Sequence, residues 1–250
     1  MKKISIILSA LAFIFCVHTQ AQEVKLVPNQ LTLVNYFSDR QGSLVGEINL
    51  FQVDSLLGIS ITTESHFNSL KDLQIPHIIV DTANYRKQDG ILKLPVGETH
   101  IEFKDVDSDN ESYENFYYMG QIPFLNSYLI LLSGFEYIDY FLIDKTTGKR
   151  NEPVFVDYPF ISPNKKYIVC IYACPYSIRA EMQVFKIADD KLEFLYSFSF
   201  PNWMPTTEHT SLVWVDDNSF VLKAIHPKIF WNEQGDINES GEYIKIEILE

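Results

Sequence analysis

A turn followed at once by a short apolar strand recurs in the second half of the chain, and this repetition restricts the fold most strongly. In residues 162–166, SPNKK, proline presets φ at the second turn position and asparagine tolerates the left-handed region. Residues 167–172 follow with the β-branched and aromatic side chains typical of a buried strand. Pro175 prevents that strand from continuing. Residues 182–187 form a second strand, so the unit predicts a pair of strands.

Similar units lie on both sides of this one. The predicted strands begin at Tyr128, Tyr167 and Phe220, which are separated by 39 and 53 residues. The first interval fits a propeller blade of about 40–50 residues, and the second requires an insertion.

The segments SPNKKYIVCIY, FLIDKTTGK and WVDDNSFVLKA resemble the blades of β-propeller proteins, in particular WD40-like and TolB-like blades with an SPDGK-type turn before a strand. The resemblance covers residues 121–250. The turn at 162–166 lacks the usual glycine, the WD dipeptide is absent, and no catalytic residue can be carried over. The resemblance implies an all-β fold, a small or partial β-propeller of antiparallel blades, with an irregular β-sandwich as the alternative.

The first 21 residues have the pattern of a secretory signal peptide. Two lysines precede an uncharged apolar run, residues 4–17, and a small-residue cleavage site ends at Ala21. Phe15 stands before Cys16 where a lipobox needs a small residue, which disfavours lipid anchoring there. We therefore expect a periplasmic or secreted protein with no transmembrane segment after cleavage.

Residues 22–250 predict a single all-β domain, and no linker rich in glycine, proline or serine interrupts them. A small N-terminal β unit, residues 22–104, packed on blade-like repeats in 121–250 is the alternative. The formal charge of −13 makes nucleic acid and anionic membrane surfaces unfavourable partners.

Other elements of the chain give less specific patterns. Residues 65–73 have helical apolar spacing, residues 77–81 predict a strand, and residues 91–103 predict a hairpin. Because a propeller often completes its last blade with a strand from the other chain end, we expect residues 24–27 or 31–34 to pair with the C-terminal blade.

Cys170 and Cys174 remain after signal cleavage. On one continuous strand they would lie about 13 Å apart, too far for a disulfide. A tight bend at Pro175 would bring them together, so the sequence leaves both alternatives open.

The acidic loop 105–111 contains the alternating carboxylates Asp105, Asp107 and Asp109, which match the first half of a calcium-binding loop. The match then fails, since Asn110 replaces the expected glycine and Phe116 the final glutamate. Calcium is the one cofactor that the sequence suggests; the alternative is a solvated loop without a ligand.

Aromatic residues are abundant, and those in loop-like contexts could contact a ligand. The candidates for ligand binding are Trp203, Trp231, Tyr117 and Tyr176. The alternative role for such side chains is to fill the space between blades.

Catalytic motifs are absent from the chain: it lacks G-x-S-x-G, H-E-x-x-H, a P-loop and G-x-G-x-x-G. Paired carboxylates could still support glycoside hydrolysis, and the candidates between apolar segments are Asp139, Asp157, Glu181 and Glu208. The sequence favours an exported, non-catalytic module that binds a protein or glycan of the cell envelope through a loop face. The alternatives are a glycan-acting hydrolase and a structural subunit of an envelope assembly.

Overall fold

The structure is a computed structural model of the chain, and it describes residues 56–174, 179–189, 191–200, 204–205, 212–225, 229–237 and 241–249. The predicted signal peptide, Cys16 and the strands expected at 24–27 and 31–34 lie outside these residues.

Antiparallel β-strands make up most of the described chain, which confirms the all-β prediction. The strands in chain order are β1 Leu57–Thr62, β2 Ile91–Val96, β3 Thr99–Lys104, β4 Glu114–Ile122, β5 Ser127–Gly134, β6 Tyr137–Asp144, β7 Arg150–Phe155, β8 Pro159–Ile161, β9 Tyr167–Cys174, β10 Arg179–Ala188, β11 Lys191–Ser199, β12 Met204–Pro205, β13 Leu212–Trp214, β14 Ser219–Ile225 and β15 Glu242–Ile248. One α-helix, α1 Glu64–Lys71, and a short 3₁₀ turn, Pro123–Leu125, are described beside them.

The strands form four sheets. Sheet I is the β2–β3 hairpin, sheet II has the order β4-β5-β6-β7, and sheet III has the order β8-β9-β10-β11. In sheet IV, β14 pairs with both β12 and β13 on one side and with β15 on the other, and β1 pairs with β15. Strands that follow one another in the chain are therefore mostly neighbours in a sheet.

The sheets pack face to face in chain order, because alternate side chains of each central strand point to opposite faces. Three clusters of buried apolar side chains fill the interfaces I/II, II/III and III/IV. Representative side chains are Leu94 and Phe141 at I/II, Leu129 and Phe185 at II/III, and Val169 and Phe220 at III/IV. Helix α1 lies against sheet IV through Phe67, Val213 and Val221.

An early strand completes the C-terminal sheet. Strand β1 pairs with β15 over six residues, from Leu57 opposite Ile248 to Thr62 opposite Tyr243. Strand β1 therefore completes the last sheet. The segments expected in this role, 24–27 and 31–34, lie outside the described residues, and their pairing stays a prediction.

Several local predictions are confirmed. Strand β9 ends at Cys174, directly before Pro175, and residues 91–103 lie in the β2–β3 hairpin. Helix α1 occupies the predicted 65–73 region, and Thr63 caps it by accepting a hydrogen bond from the His66 N–H.

The strand predicted for residues 77–81 is wrong. Only Ile79 makes a bridge, to Gln121 at the edge of sheet II. Ile79 and Val80 are exposed, and Pro76 has no N–H to donate to a ladder. The apolar side chains of residues 77–81 lie across the edges of the sheets. The segment is not a strand within any of the sheets.

Candidate functional site

A pocket of about 290 Å³ opens where edge strands of sheets III and IV meet residues 73–80, which we call the edge segment. Strand β8 is the free edge of sheet III and β13 lies at the edge of sheet IV. The lining residues, which define the edge pocket, are Lys71, Gln74, Ile75, Pro76, His77, Ile78, Tyr158, Pro159, Phe160, Ile161, Leu212, Val213 and Trp214.

Gln74 attaches the edge segment to sheet IV. Its Oε1 accepts a hydrogen bond from the Trp214 N–H at 2.8 Å, and its Nε2 donates to the Trp214 carbonyl at 3.0 Å. Nε2 also donates to the Leu70 carbonyl at 2.9 Å in the last turn of α1. The side-chain amide thus provides the hydrogen-bond partners that a neighbouring strand would provide at the edge of β13.

Ile79 attaches the other end of the edge segment to sheet II. Ile79 and Gln121 exchange two backbone hydrogen bonds of 2.9 Å each. This close approach requires glycine at position 120, where φ is +140°. A Cβ at Gly120 would lie 2.5 Å from Ile78 Cγ2 and 3.1 Å from the Ile79 carbonyl oxygen.

His77 lies between these two attachments. Burial and the nearby positive charge of Lys165 lower its pKa, and backbone hydrogen bonds with Pro163 and Ser162 offset part of that effect. Its ring stands edge-on to Phe124 at 6.0 Å between centroids. Its Nε2 is buried and has no hydrogen-bond partner among the described residues, and the same holds for Trp214 Nε1.

The described lining of the edge pocket is mostly apolar and includes no carboxylate. Large apolar side chains continue outward from it along the edge segment: Leu73 is 70% exposed and Ile75 is 59% exposed. An apolar depression with an exposed apolar rim is typical of a binding surface for another molecule.

The predicted ligand-binding aromatics lie elsewhere. Tyr117 is on β4 of sheet II, 43% exposed, with Lys87 Nζ 4.3 Å above its ring. Trp231 is 41% exposed in the loop after β14, where it bridges Ile237. Neither lines the edge pocket. Trp203 and Tyr176 lie outside the described residues.

The carboxylates of the acidic loop do not form a cluster. Lys87 Nζ donates to both oxygens of Asp105, at 2.8 and 2.7 Å, and the Phe116 N–H donates to Oδ1 at 2.9 Å. Asp107 and Asp109 are exposed. The described part of the chain holds no group of three or more His, Cys, Asp or Glu side chains that could bind a metal. Calcium binding by this loop therefore stays a prediction.

The candidate catalytic carboxylates have separate surroundings. Asp139 Oδ2 lies 3.8 Å from Arg150 Nη2, and the buried Glu181 accepts a hydrogen bond from Ser197 Oγ at 2.8 Å. Asp157 accepts the Tyr158 N–H at 2.6 Å, and burial raises its pKa to about 6. None of the three lines the edge pocket, and Glu208 lies outside the described residues.

The raised pKa of Asp157 gives a testable pH dependence. Because the folded pKa exceeds the unfolded value of 3.8, the folded state binds more protons between these two values. This contribution to stability is complete below pH 3.8 and is lost as the pH rises through about 6. We expect Asp157→Asn to match the wild type near pH 4 and to be more stable at pH 7.5 by up to about 3 kcal/mol.

Urea denaturation of both proteins across this pH range measures the effect. Asp107→Asn, which removes an exposed carboxylate, is the control for loss of an acidic side chain. A constant difference between Asp157→Asn and the wild type at all pH values would contradict a raised pKa.

Both remaining cysteines lie on strand β9. Cys170 is buried and Cys174 is half-buried, at opposite halves of β9. Because β9 is continuous through Cys174, the structure favours separate thiols over the disulfide alternative.

Sequence reasoning missed the edge pocket because it assigned 77–81 to a strand. The available signal was Pro76, which falls within the apolar run at residues 73–80. No helix among the described residues is long and apolar enough to span a membrane.

No protein-family model, no curated protein and no solved structure matches the chain.

Proposed function

We propose that the chain is an exported, non-catalytic binding module that recognises a partner protein through the edge pocket. The observation that carries this proposal is the apolar pocket joined to the exposed apolar edge segment. Binding energy at protein interfaces concentrates in side chains that fill such desolvated pockets.

The fold that we propose for this module is a partial β-propeller in which sheets II, III and IV are blades. Support comes from the chain-order packing of successive antiparallel sheets and from the completion of sheet IV by β1. The edges formed by β4, β8 and β13 would then face the axis, and the edge segment would lie along it.

Glycan recognition has less support at this site. A sugar presents many hydroxyl groups, and a site for it needs several free polar partners. Of the polar lining residues, Gln74 is already engaged in three hydrogen bonds within the protein, and the unpartnered His77 Nε2 and Trp214 Nε1 are buried. Glycoside hydrolysis has less support still, since it needs two carboxylates at the site and the described lining has none.

Substitution of Ile75 tests the proposal. Ile75→Asp places a charge on the apolar rim, and we expect capture of a specific envelope protein to fall on the order of ten-fold or more. Because Ile75 is mostly exposed, the free energy of unfolding should change by less than about 0.5 kcal/mol. The measurement is comparative capture from envelope extract, quantified by mass spectrometry.

The matched control is Ile138→Asp. Ile138 is 50% exposed on β6 and lies outside the edge pocket. Its substitution introduces the same charge in place of the same side chain, so the control variant should capture the partner as the wild type does.

A further inference from the structure

The edge segment passes the edges of three sheets and is attached to each of them. Gln74 bonds to Trp214 of sheet IV, and Ile79 bonds to Gln121 of sheet II. Between these two attachments, the His77 ring makes hydrogen bonds with the backbone of the turn that follows β8 of sheet III. The edge segment therefore connects sheets II, III and IV.

Of these three attachments, the one at sheet III depends on a titratable side chain. The Gln74 attachment uses a neutral amide, and the Ile79 attachment uses backbone groups. A histidine ring changes its charge near neutral pH, so its contacts respond to mild acid. His77 is therefore the position at which pH can act on the edge segment.

The surroundings of His77 disfavour a positive charge on its ring. Nε2 is buried without a hydrogen-bond partner among the described residues, so a proton placed there would have no acceptor. The ring lies edge-on to Phe124, with 6.0 Å between centroids, and Lys165 Nζ lies 5.0 Å from the centroid of the same Phe124 ring. A charge on His77 would therefore be desolvated and close to another positive charge.

We propose that the edge segment detaches in mild acid: protonation of His77 releases residues 75–80 from sheets II and III and removes one wall of the edge pocket. Ile75, Ile79 and Val80 are exposed, so few buried contacts oppose a local release. A released His77 ring is hydrated and accepts the proton without the penalties of the buried site. The inference concerns the conformation of the edge segment and does not rest on the proposed function.

The pKa of His77 gives the direction of the effect. Burial and the charge of Lys165 lower this pKa below the ordinary value of 6.5. A basic group with a lowered pKa stabilises the attached state fully above its ordinary pKa, and this stabilisation is lost as the pH falls through the lowered value. The attached state is therefore favoured at pH 7.5 and becomes less favoured toward pH 5.

Other charged and titratable side chains lie around the edge segment. Besides Lys165, they include Lys71, Asp81, Tyr118, Lys145, Asp157 and Tyr158. Burial raises the pKa of Asp157 to about 6, so this carboxyl also takes up a proton in the same pH range. Its protonation stabilises the folded state, whereas protonation of His77 destabilises the attached segment. The two effects have opposite signs, so Asp157 does not account for a release in acid.

Hydrogen exchange of the Ile79 amide measures the attachment, because its N–H donates to the Gln121 carbonyl at 2.9 Å. Exchange in the purified full chain is followed by NMR at pH 7.5 and pH 5. Division by the intrinsic exchange rate at each pH gives a protection factor. We expect this factor to fall roughly five-fold or more in acid, while the amide of Val169 in the central strand β9 keeps its protection.

Three variants identify the group that responds. His77→Gln keeps a neutral side chain at every pH, so the protection of Ile79 should no longer fall in acid, even if the substitution lowers it at both pH values. The matched control is His100→Gln, which removes an exposed histidine of sheet I and should retain the loss in acid. Lys165→Gln removes the nearby positive charge and should make the loss smaller.

Three results would overturn the inference. An Ile79 protection factor that is the same at pH 7.5 and pH 5 would show that the segment stays attached in acid. An equal fall in the wild type and in His77→Gln would assign the effect to another group. An equal fall for Val169 would indicate global unfolding in place of local release. Partner capture that depends on Ile75 at neutral pH would survive each of these results, so the proposed function is tested separately.

Discussion

Phe185→Ala should destabilise the protein by about 4 kcal/mol, the largest loss that we expect from a single side-chain truncation here. Phe185 on β10 is fully buried between sheets II and III. Its ring packs edge-to-face on Phe155 of sheet II at 5.2 Å and on Phe194 of sheet III at 5.5 Å. The substitution leaves a cavity at an interface where two rigid sheets cannot close the gap.

Chemical denaturation monitored by tryptophan fluorescence measures this loss. Phe135→Ala removes the same side chain at the exposed turn between β5 and β6 and should cost less than about 1 kcal/mol. Similar costs for the two substitutions would contradict the packing of sheet II on sheet III.

Gly120→Ala should destabilise the protein by about 3 kcal/mol or more, through two effects that add. The backbone at Gly120 has φ of +140°, which a residue with a Cβ rarely adopts. The new Cβ would also collide with Ile78 Cγ2 and with the Ile79 carbonyl. The edge segment would have to move away from β4, and the edge pocket would lose one wall.

Two further variants separate these effects. Gly235 has φ of +85° with nothing within 4 Å of a new Cβ, so Gly235→Ala reports backbone strain alone and should cost about 1 kcal/mol. Ile78→Ala removes the colliding Cγ2, so the Gly120→Ala and Ile78→Ala pair should be less destabilising than the sum of the two single substitutions. Additive costs would show that Ile78 does not contact Gly120.

Local chemistry made many of the strands predictable from the sequence. The turn at 162–166 and the apolar run after it predicted strand β9, and Pro175 predicted where that strand ends. The β2–β3 hairpin followed from two short apolar runs around Gly97, which adopts φ of +52° in the turn. In each case neighbouring residues determine the conformation, through their backbone preferences and through the alternation of side chains between the two faces of a strand.

Long-range contacts explain what the sequence did not predict. Besides its neighbour β14, strand β15 pairs with β1, about 180 to 190 residues earlier in the chain, and the pattern of β1 alone does not distinguish it from other N-terminal runs. The edge segment has strand-like composition, but its apolar side chains line a pocket whose other walls come from β8 and β13. Only the assembled sheets bring these walls together.

The candidate site was predicted poorly for the same reason. Exposed aromatics such as Trp231 and Tyr117 are visible in the sequence, but nothing in the sequence shows which of them share a surface. Trp214 is not among the aromatic residues that the sequence singled out, and yet it lines the edge pocket. Its role depends on Gln74, which is 140 residues away in the chain.

The comparison of Ile75→Asp with Ile138→Asp in envelope capture tests the central claim most directly. The account predicts a discrete partner that the wild type and Ile138→Asp retain and that Ile75→Asp loses, with all three proteins equally stable. Loss of the partner in Ile138→Asp alone, or equal capture by both variants, would contradict a binding function at the edge pocket.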